Sequence, residues 1–142
     1  MKIYFNEDKE FANFLTEKLK SYNNEYSPFH KLSREEGYVK HINIKEEADD
    51  KFMAGASARI YWGCMSIDKI FIEESFRKSG TGSKVLKELI MIAKENDCNY
   101  MFLTTYSFQA RYFYEKFGFY VVGELKDYPP GESYYTMRLD LV

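Results

Sequence analysis

With 142 residues, 45% of them apolar and 30% charged, the chain has the length and balance of one folded domain with one core. A net charge of −2 supplies no basic field for nucleic acid. No apolar run approaches the ~20 residues that span a bilayer, so neither nucleic acid nor membrane is an expected partner.

Residues 2–5 read as a short first strand. Asn6 is the expected N-cap of a helix whose stripe Phe11, Phe14, Leu15 and Leu19 continues to Tyr22 and is read as core. Ser27-Pro28 breaks that helix, and residues 29–37 read as loop with a helical turn near 33–36. Residues 38–44 alternate as a strand. The acidic run 46–50 is a solvated hairpin turn or, in the sharper reading, a negative lip that attracts a cationic amine. Residues 52–62, rich in small side chains, form the next strand, and Gly63 separates it from the strand at 65–72.

Arg77-Lys78-Ser79-Gly80-Thr81-Gly82 follows that strand. After it, Val85, Leu86, Leu89, Ile90 and Ala93 fall on one helical face. A strand, a glycine turn and a helix N-terminus make a hollow lined by unpaired N–H groups, which suits phosphate. The plain alternative is a glycine-rich connection to a surface helix. A dinucleotide fingerprint fails, because Val85 stands where the third glycine belongs. A P-loop fails as well, since Gly82 is followed by Ser83-Lys84 in the wrong order.

Further on, a strand at 100–105 leads into a second helix. Ser107 is its expected N-cap, and Ala110, Phe113, Tyr114 and Phe117 fall on adjacent turns. Gly118 suits the left-handed stop. Two strands at 120–125 and 134–141 close the chain around a Pro-Gly turn at 127–132.

The Arg-x-x-Gly-x-Gly loop and the 106–119 block, in this order, resemble the acyl-CoA pyrophosphate loop and the tyrosine-bearing helix of the GNAT superfamily of N-acetyltransferases. The resemblance covers 65–141 well and the first sixty residues loosely. It implies an α/β (α+β) GNAT fold: a mixed, mostly antiparallel sheet of about six to seven strands with helices on both faces, in one domain spanning 1–142.

It also implies attack of a primary amine on acetyl-CoA in a ternary complex. Main-chain groups at Ile70, Phe71 and Ile72 would hold the pantetheine arm and oxyanion, while Arg77, Lys78, Ser79, Gly80, Thr81, Gly82 and Ser83 would take the pyrophosphate. Tyr114 occupies the position of the family's general acid, with a buried structural tyrosine as the alternative; Tyr112 lies on another face. Asp68 is the candidate base, with a strand residue paired to a cation as the alternative, and Glu73 and Glu74 sit just past it. Ser107 stands where many members carry Asn, so its shorter reach passes part of the cofactor contact to Gln109.

The implied cosubstrate is acetyl-CoA, without a metal. The implied acceptor is a small amine, which the acidic 46–50 run and Glu73-Glu74 lean towards being cationic. Acceptors on protein lysines or N-termini, a non-catalytic acyl-CoA sensor, and a homodimer stay open. Cys64 and Cys98 have no metal-ligand spacing with His30 or His41 and are expected as reduced core thiols in a cytoplasmic protein.

Overall fold

The computed structural model describes residues 1–142 as two compact units, Met1–Tyr38 and Val39–Val142.

The first unit contains α1 (Lys9–Tyr26) and the short α2 (Pro28–Leu32). The N-cap of α1 is Asp8 rather than Asn6: its carboxylate accepts the Phe11 N–H at 2.9 Å. Ser27 serves both helices. Its N–H donates to the Asn23 carbonyl at 2.8 Å, its hydroxyl accepts the His30 N–H, and Pro28 fills the first turn of α2. A five-residue helix thus stands where the sequence reads as loop. Residues 2–5 pair with no strand. The Phe11–Leu19 stripe is not core either, for no residue of α1 is buried. Helical period defines a face, but burial needs a partner surface, which period does not specify.

The second unit is a six-stranded sheet in the order β1-β2-β3-β4-β6-β5. Its strands are β1 (Lys40–Ala48), β2 (Lys51–Tyr61), β3 (Cys64–Ile72), β4 (Tyr100–Tyr106), β5 (Tyr120–Lys126) and β6 (Ser133–Asp140). The first three form a meander joined by two-residue turns. Asp49-Asp50 makes one, with φ of 52° and 59°, and Trp62-Gly63 the other, with φ of 49° and 71°. Positive φ at both central residues gives the turn twist that matches paired strands.

Only β3 and β4 run parallel, as a β-helix-β crossover through α3 (Thr81–Glu95) requires. Val85, Leu86, Leu89 and Ala93 of α3 are buried over β2, β3 and β4. Ala54, Ala56 and Ala58 of β2 are buried too, and such short side chains let the helix lie close. Met101, Leu103, Phe119, Tyr135 and Met137 continue the same core, together with Tyr114 of α4 (Arg111–Glu115). Burying each large apolar side chain contributes about 1.5–3 kcal/mol. Cys64 and Cys98 are buried and free, as expected. No helix is long and apolar enough to cross a membrane.

Two irregularities position the site. First, β3 and β4 pair only through Cys64–Tyr100, Met65–Met101 and Ser66–Phe102, and beyond them the strands part. The far side of β4 shows no such break, its ladder with β6 running from Tyr100–Asp140 to Tyr106–Tyr134. Second, β3 bulges against β2. Ile67 pairs with Ala58 and Lys69 with Ser57, leaving Asp68 between them. Ile67 and Ile70 both join the core, Ile67 buried and Ile70 packed against it. Simple alternation would put Asp68 with Ile70 and Ile72; the bulge turns it away.

Candidate active site

The parted ends of β3 and β4 open a cleft of about 650 Å³. Ile70, Phe71 and Ile72 form one wall, and Phe108, Gln109, Ala110, Phe113 and Tyr114 the other. Beyond residue 66 the β3 backbone has no ladder partner on its β4 side. Main-chain groups there are available to something lying in the cleft, because a strand edge offers its N–H and C=O groups outward.

One end of the cleft is the loop before α3. A 3-10 turn at Glu74–Phe76 leads into it. Arg77 folds back, its Nε donating to the Ile72 carbonyl at 2.9 Å, so a cation is tied to the end of β3. Lys78 has φ of 66°, a left-handed conformation that costs a non-glycine residue about 1–2 kcal/mol. The Ser79 hydroxyl donates to the Phe76 carbonyl and lies 2.9 Å from the Thr81 hydroxyl, which braces the turn. Gly80 is the N-cap of α3, with φ of 84° and no side chain capping the first turn. The first internal bond is Lys84 N–H to Gly80 O, so the preceding amides of Thr81, Gly82 and Ser83 present an uncapped, positive helix end.

Arg77, Lys78, Gly80, Gly82 and Ser83 reach the cleft wall; Ser79 and Thr81 do not and act on the shape of the turn. A β-carbon at Gly82 would lie 3.4 Å from the Phe113 ring and 3.6 Å from Ile72, so the two walls meet at this glycine. No carboxylate lines the cleft.

Tyr114 is 9% exposed and lines the cleft, with its ring edge-on to Phe113 and Phe119. Burial pushes its phenol above the ordinary range, so it is a protonated donor at neutral pH. Tyr112 is 74% exposed and outside the cleft, as its other helical face implies. Helix α4 is held against the sheet by Arg111, whose guanidinium lies 4.6 Å from the Tyr135 ring and donates to Glu115 at 2.7 Å. Gly118, at φ of 95°, ends this segment as expected.

Three sequence-selected residues are committed to other parts of the protein; for Asp68 this is the alternative of a strand residue paired to a cation. Ser107 is not a helix cap: α4 begins after Ala110 with no side-chain cap. Its hydroxyl donates to the Glu132 carboxylate and accepts the Ser133 N–H at 2.9 Å, tying the end of β4 to the β5–β6 hairpin. Gln109 lines the cleft, but its side-chain carbonyl accepts the Tyr106 N–H at 2.8 Å and the Thr105 hydroxyl at 3.2 Å. It therefore shapes the loop that carries Phe108 and Ala110.

Asp68 is not brought to the cleft. Arg59 Nε and Nη2 donate to its two oxygens at 2.8 Å each, and Ser66 donates at 3.1 Å. The Arg59 hydrogen bond, with Ser66 and the nearby charges of Arg59 and His41, holds this carboxyl below its usual range against an opposing effect of burial. Glu73 and Glu74 also lie outside the lining.

Sequence reasoning missed Phe108 and Phe113 as cleft walls. The available signal was Gly82 itself: a glycine in the first turn of a helix can mark the close approach of another element, although not which one.

Comparison with known proteins agrees with this geometry. Over 88 residues the chain is 26% identical to the blasticidin-S acetyltransferase of Streptomyces morookaense, which covers 61% of this chain and 65% of that protein. The chain thus spans just under two thirds of that relative's length. The solved structure of an acetyltransferase from Bacillus cereus ATCC 14579 superposes with a TM-score of 0.80 at 26% identity, covering 99% of this chain and 98% of that one. An aminoglycoside 6'-N-acetyltransferase complexed with coenzyme A shares the fold alone, with a TM-score of 0.60 at 15% identity over 99% of this chain and 98% of its own. Residues 4–119 match the model of the acetyltransferase (GNAT) family, and the chain belongs to that family.

Proposed function

We propose that this protein transfers the acetyl group of acetyl-CoA to a primary amine of a small molecule by direct attack in a ternary complex. The observation that carries the reading is the break in the β3–β4 ladder after Ser66–Phe102, with the uncapped start of α3 at one end of the resulting cleft and Tyr114 in its wall. The cofactor bound by the aminoglycoside acetyltransferase and the small-molecule substrate named for the Streptomyces relative support it.

In this reading the pyrophosphate lies against the amides of residues 81–83 with Arg77 and Lys78 beside it, and the pantetheine arm runs along Ile70–Ile72. Free N–H groups of that strand stabilise the oxyanion formed when the amine nitrogen attacks the thioester carbon. The C–S bond then breaks, and the departing thiolate takes the Tyr114 proton. The amine gives up its proton to water rather than to Asp68, whose carboxylate is committed to Arg59.

The test pairs calorimetric titration of coenzyme A with thiol release from acetyl-CoA against polyamines, amino acids, aminoglycosides and peptides. Amine-dependent release that falls in Tyr114→Phe supports transfer. Tight binding of coenzyme A with no release on any amine identifies an acyl-CoA sensor and overturns the enzymatic reading. Release confined to peptides moves the acceptor to protein amines.

A further inference from the structure

Besides the cleft, the meander of β1, β2 and β3 carries a second hollow, of about 300 Å³. Gly55 lies at its centre, paired with Lys45 of β1 on one side and Phe71 of β3 on the other. A β-carbon at Gly55 would stand 2.5 Å from the Ile44 carbonyl oxygen, so the strands leave no room for a side chain at this position. Phe52 and Phe71, 66% and 57% exposed, supply apolar surface. Lys45 and Lys69 supply charge; no carboxylate lines the hollow, and neither lysine is in an ion pair. Lys45 Nζ stands 5.7 Å from the centre of the Phe52 ring, which keeps this cation beside the apolar surface. Two uncompensated cations against exposed rings suit an anion carried on an apolar chain.

The hollow adjoins the cleft, for Phe71 lines both. The glycine turn before α3 follows the C-terminal end of β3. A cofactor arm laid from that turn along Ile72 to Ile70 therefore ends beside Lys69, the next residue back along the strand.

We propose that this hollow receives the acyl chain of the donor, and that the protein accepts, besides acetyl-CoA, short acyl-CoA thioesters whose chain ends in a carboxylate. Lys45 and Lys69 pair with the carboxylate, while Phe52 and Phe71 cover the methylene groups. The carboxylate stays ionised and takes no part in transfer. The amine nitrogen bonds to the thioester carbon, the C–S bond breaks and the thiolate leaves with a proton, as in acetyl transfer. The inference rests on the acetyl-transfer reading for the course of the cofactor arm, and its test separates the two.

Coenzyme A is titrated first, calorimetrically. Absence of binding sinks the transfer reading and this site with it. Succinyl-CoA is then compared with butyryl-CoA, which has the same acyl chain length and an uncharged end. The comparison is made at roughly 0.3 M salt, so that long-range attraction is screened. Succinyl-CoA is expected to bind ~5-fold more tightly, and the ratio should fall to about 1 in the Lys45→Met, Lys69→Met double variant with acetyl-CoA affinity unchanged. Equal binding of the two thioesters overturns the site while leaving acetyl transfer standing, as does a ratio that survives in the double variant. A preference of the coenzyme A complex for norvaline over n-butylamine that the double variant loses, without any donor preference, gives the lysines to the acceptor and overturns the donor site.

Discussion

Gly82, in the loop at one end of the cleft, and Phe113, in its wall, approach so closely that a β-carbon on the glycine would touch the ring at 3.4 Å. This distance is ordinary van der Waals contact, and φ at Gly82 is not in the left-handed region. The position therefore tolerates one methyl group and nothing that must turn into the cleft.

Gly82→Ala is expected to fold with stability changed by less than about 1 kcal/mol, since a helical Gly→Ala exchange itself gains about that much. Gly82→Glu puts a carboxylate where a diphosphate is proposed to lie. Coenzyme A affinity should drop at least ~100-fold in that variant, about 2.7 kcal/mol, by calorimetry. Unchanged affinity in a folded Gly82→Glu protein means that the loop is not the pyrophosphate site.

Tyr114→Phe removes a phenol that burial keeps protonated. Turnover should fall ~10²-fold or more with coenzyme A affinity retained, the range typical of a lost general acid. Because the shift is upward, the alkaline limb set by this acid should lie above the ordinary tyrosine range near ~10, with activity held through neutral pH. A pH–rate profile in which wild type and variant coincide removes Tyr114 from the chemistry.

Asp68→Asn tests the ion pair with Arg59. Half-exposed pairs are screened by water, so a loss on the order of 0.5–1 kcal/mol at pH 7 is expected from urea unfolding. The folded carboxyl is shifted downward, so its contribution is present above the ordinary carboxyl range near ~4. It is lost as the pH falls through the lower folded value. The stability difference between wild type and variant should therefore shrink on acidification. Turnover should persist, and its collapse at unchanged stability would return Asp68 to the reaction.

Leu86→Ala empties a fully buried site beneath α3. A loss of about 2–5 kcal/mol is expected from chemical denaturation, with both coenzyme A binding and activity recovered at temperatures where the variant is folded.

The sequence was most legible where structure is local. The loop from Arg77 to Gly82, the apolar face of α3, the left-handed stop at Gly118 and the strand segments of the sheet all depend on hydrogen bonds and φ preferences spanning a few residues. Such features are written in consecutive side chains. Two blocks in order also carried the family and, with it, the expectation of a cleft beside β3.

Pairing between distant segments was not legible in this way. Nothing in residues 65–72 announces the bulge that carries Asp68 to Arg59, because a bulge belongs to the register of two strands. Ser107 reads as a helix cap until Glu132 and Ser133, far along the chain, claim its hydroxyl. The α1 stripe has the period of a core helix, yet period cannot supply a surface to bury it. Short-range preference thus determined most of the elements and the glycine turn before α3. Only tertiary structure decided which carboxylate is neutralised, where β3 and β4 part and which rings line the cleft, because each depends on atoms that the backbone brings together only on folding.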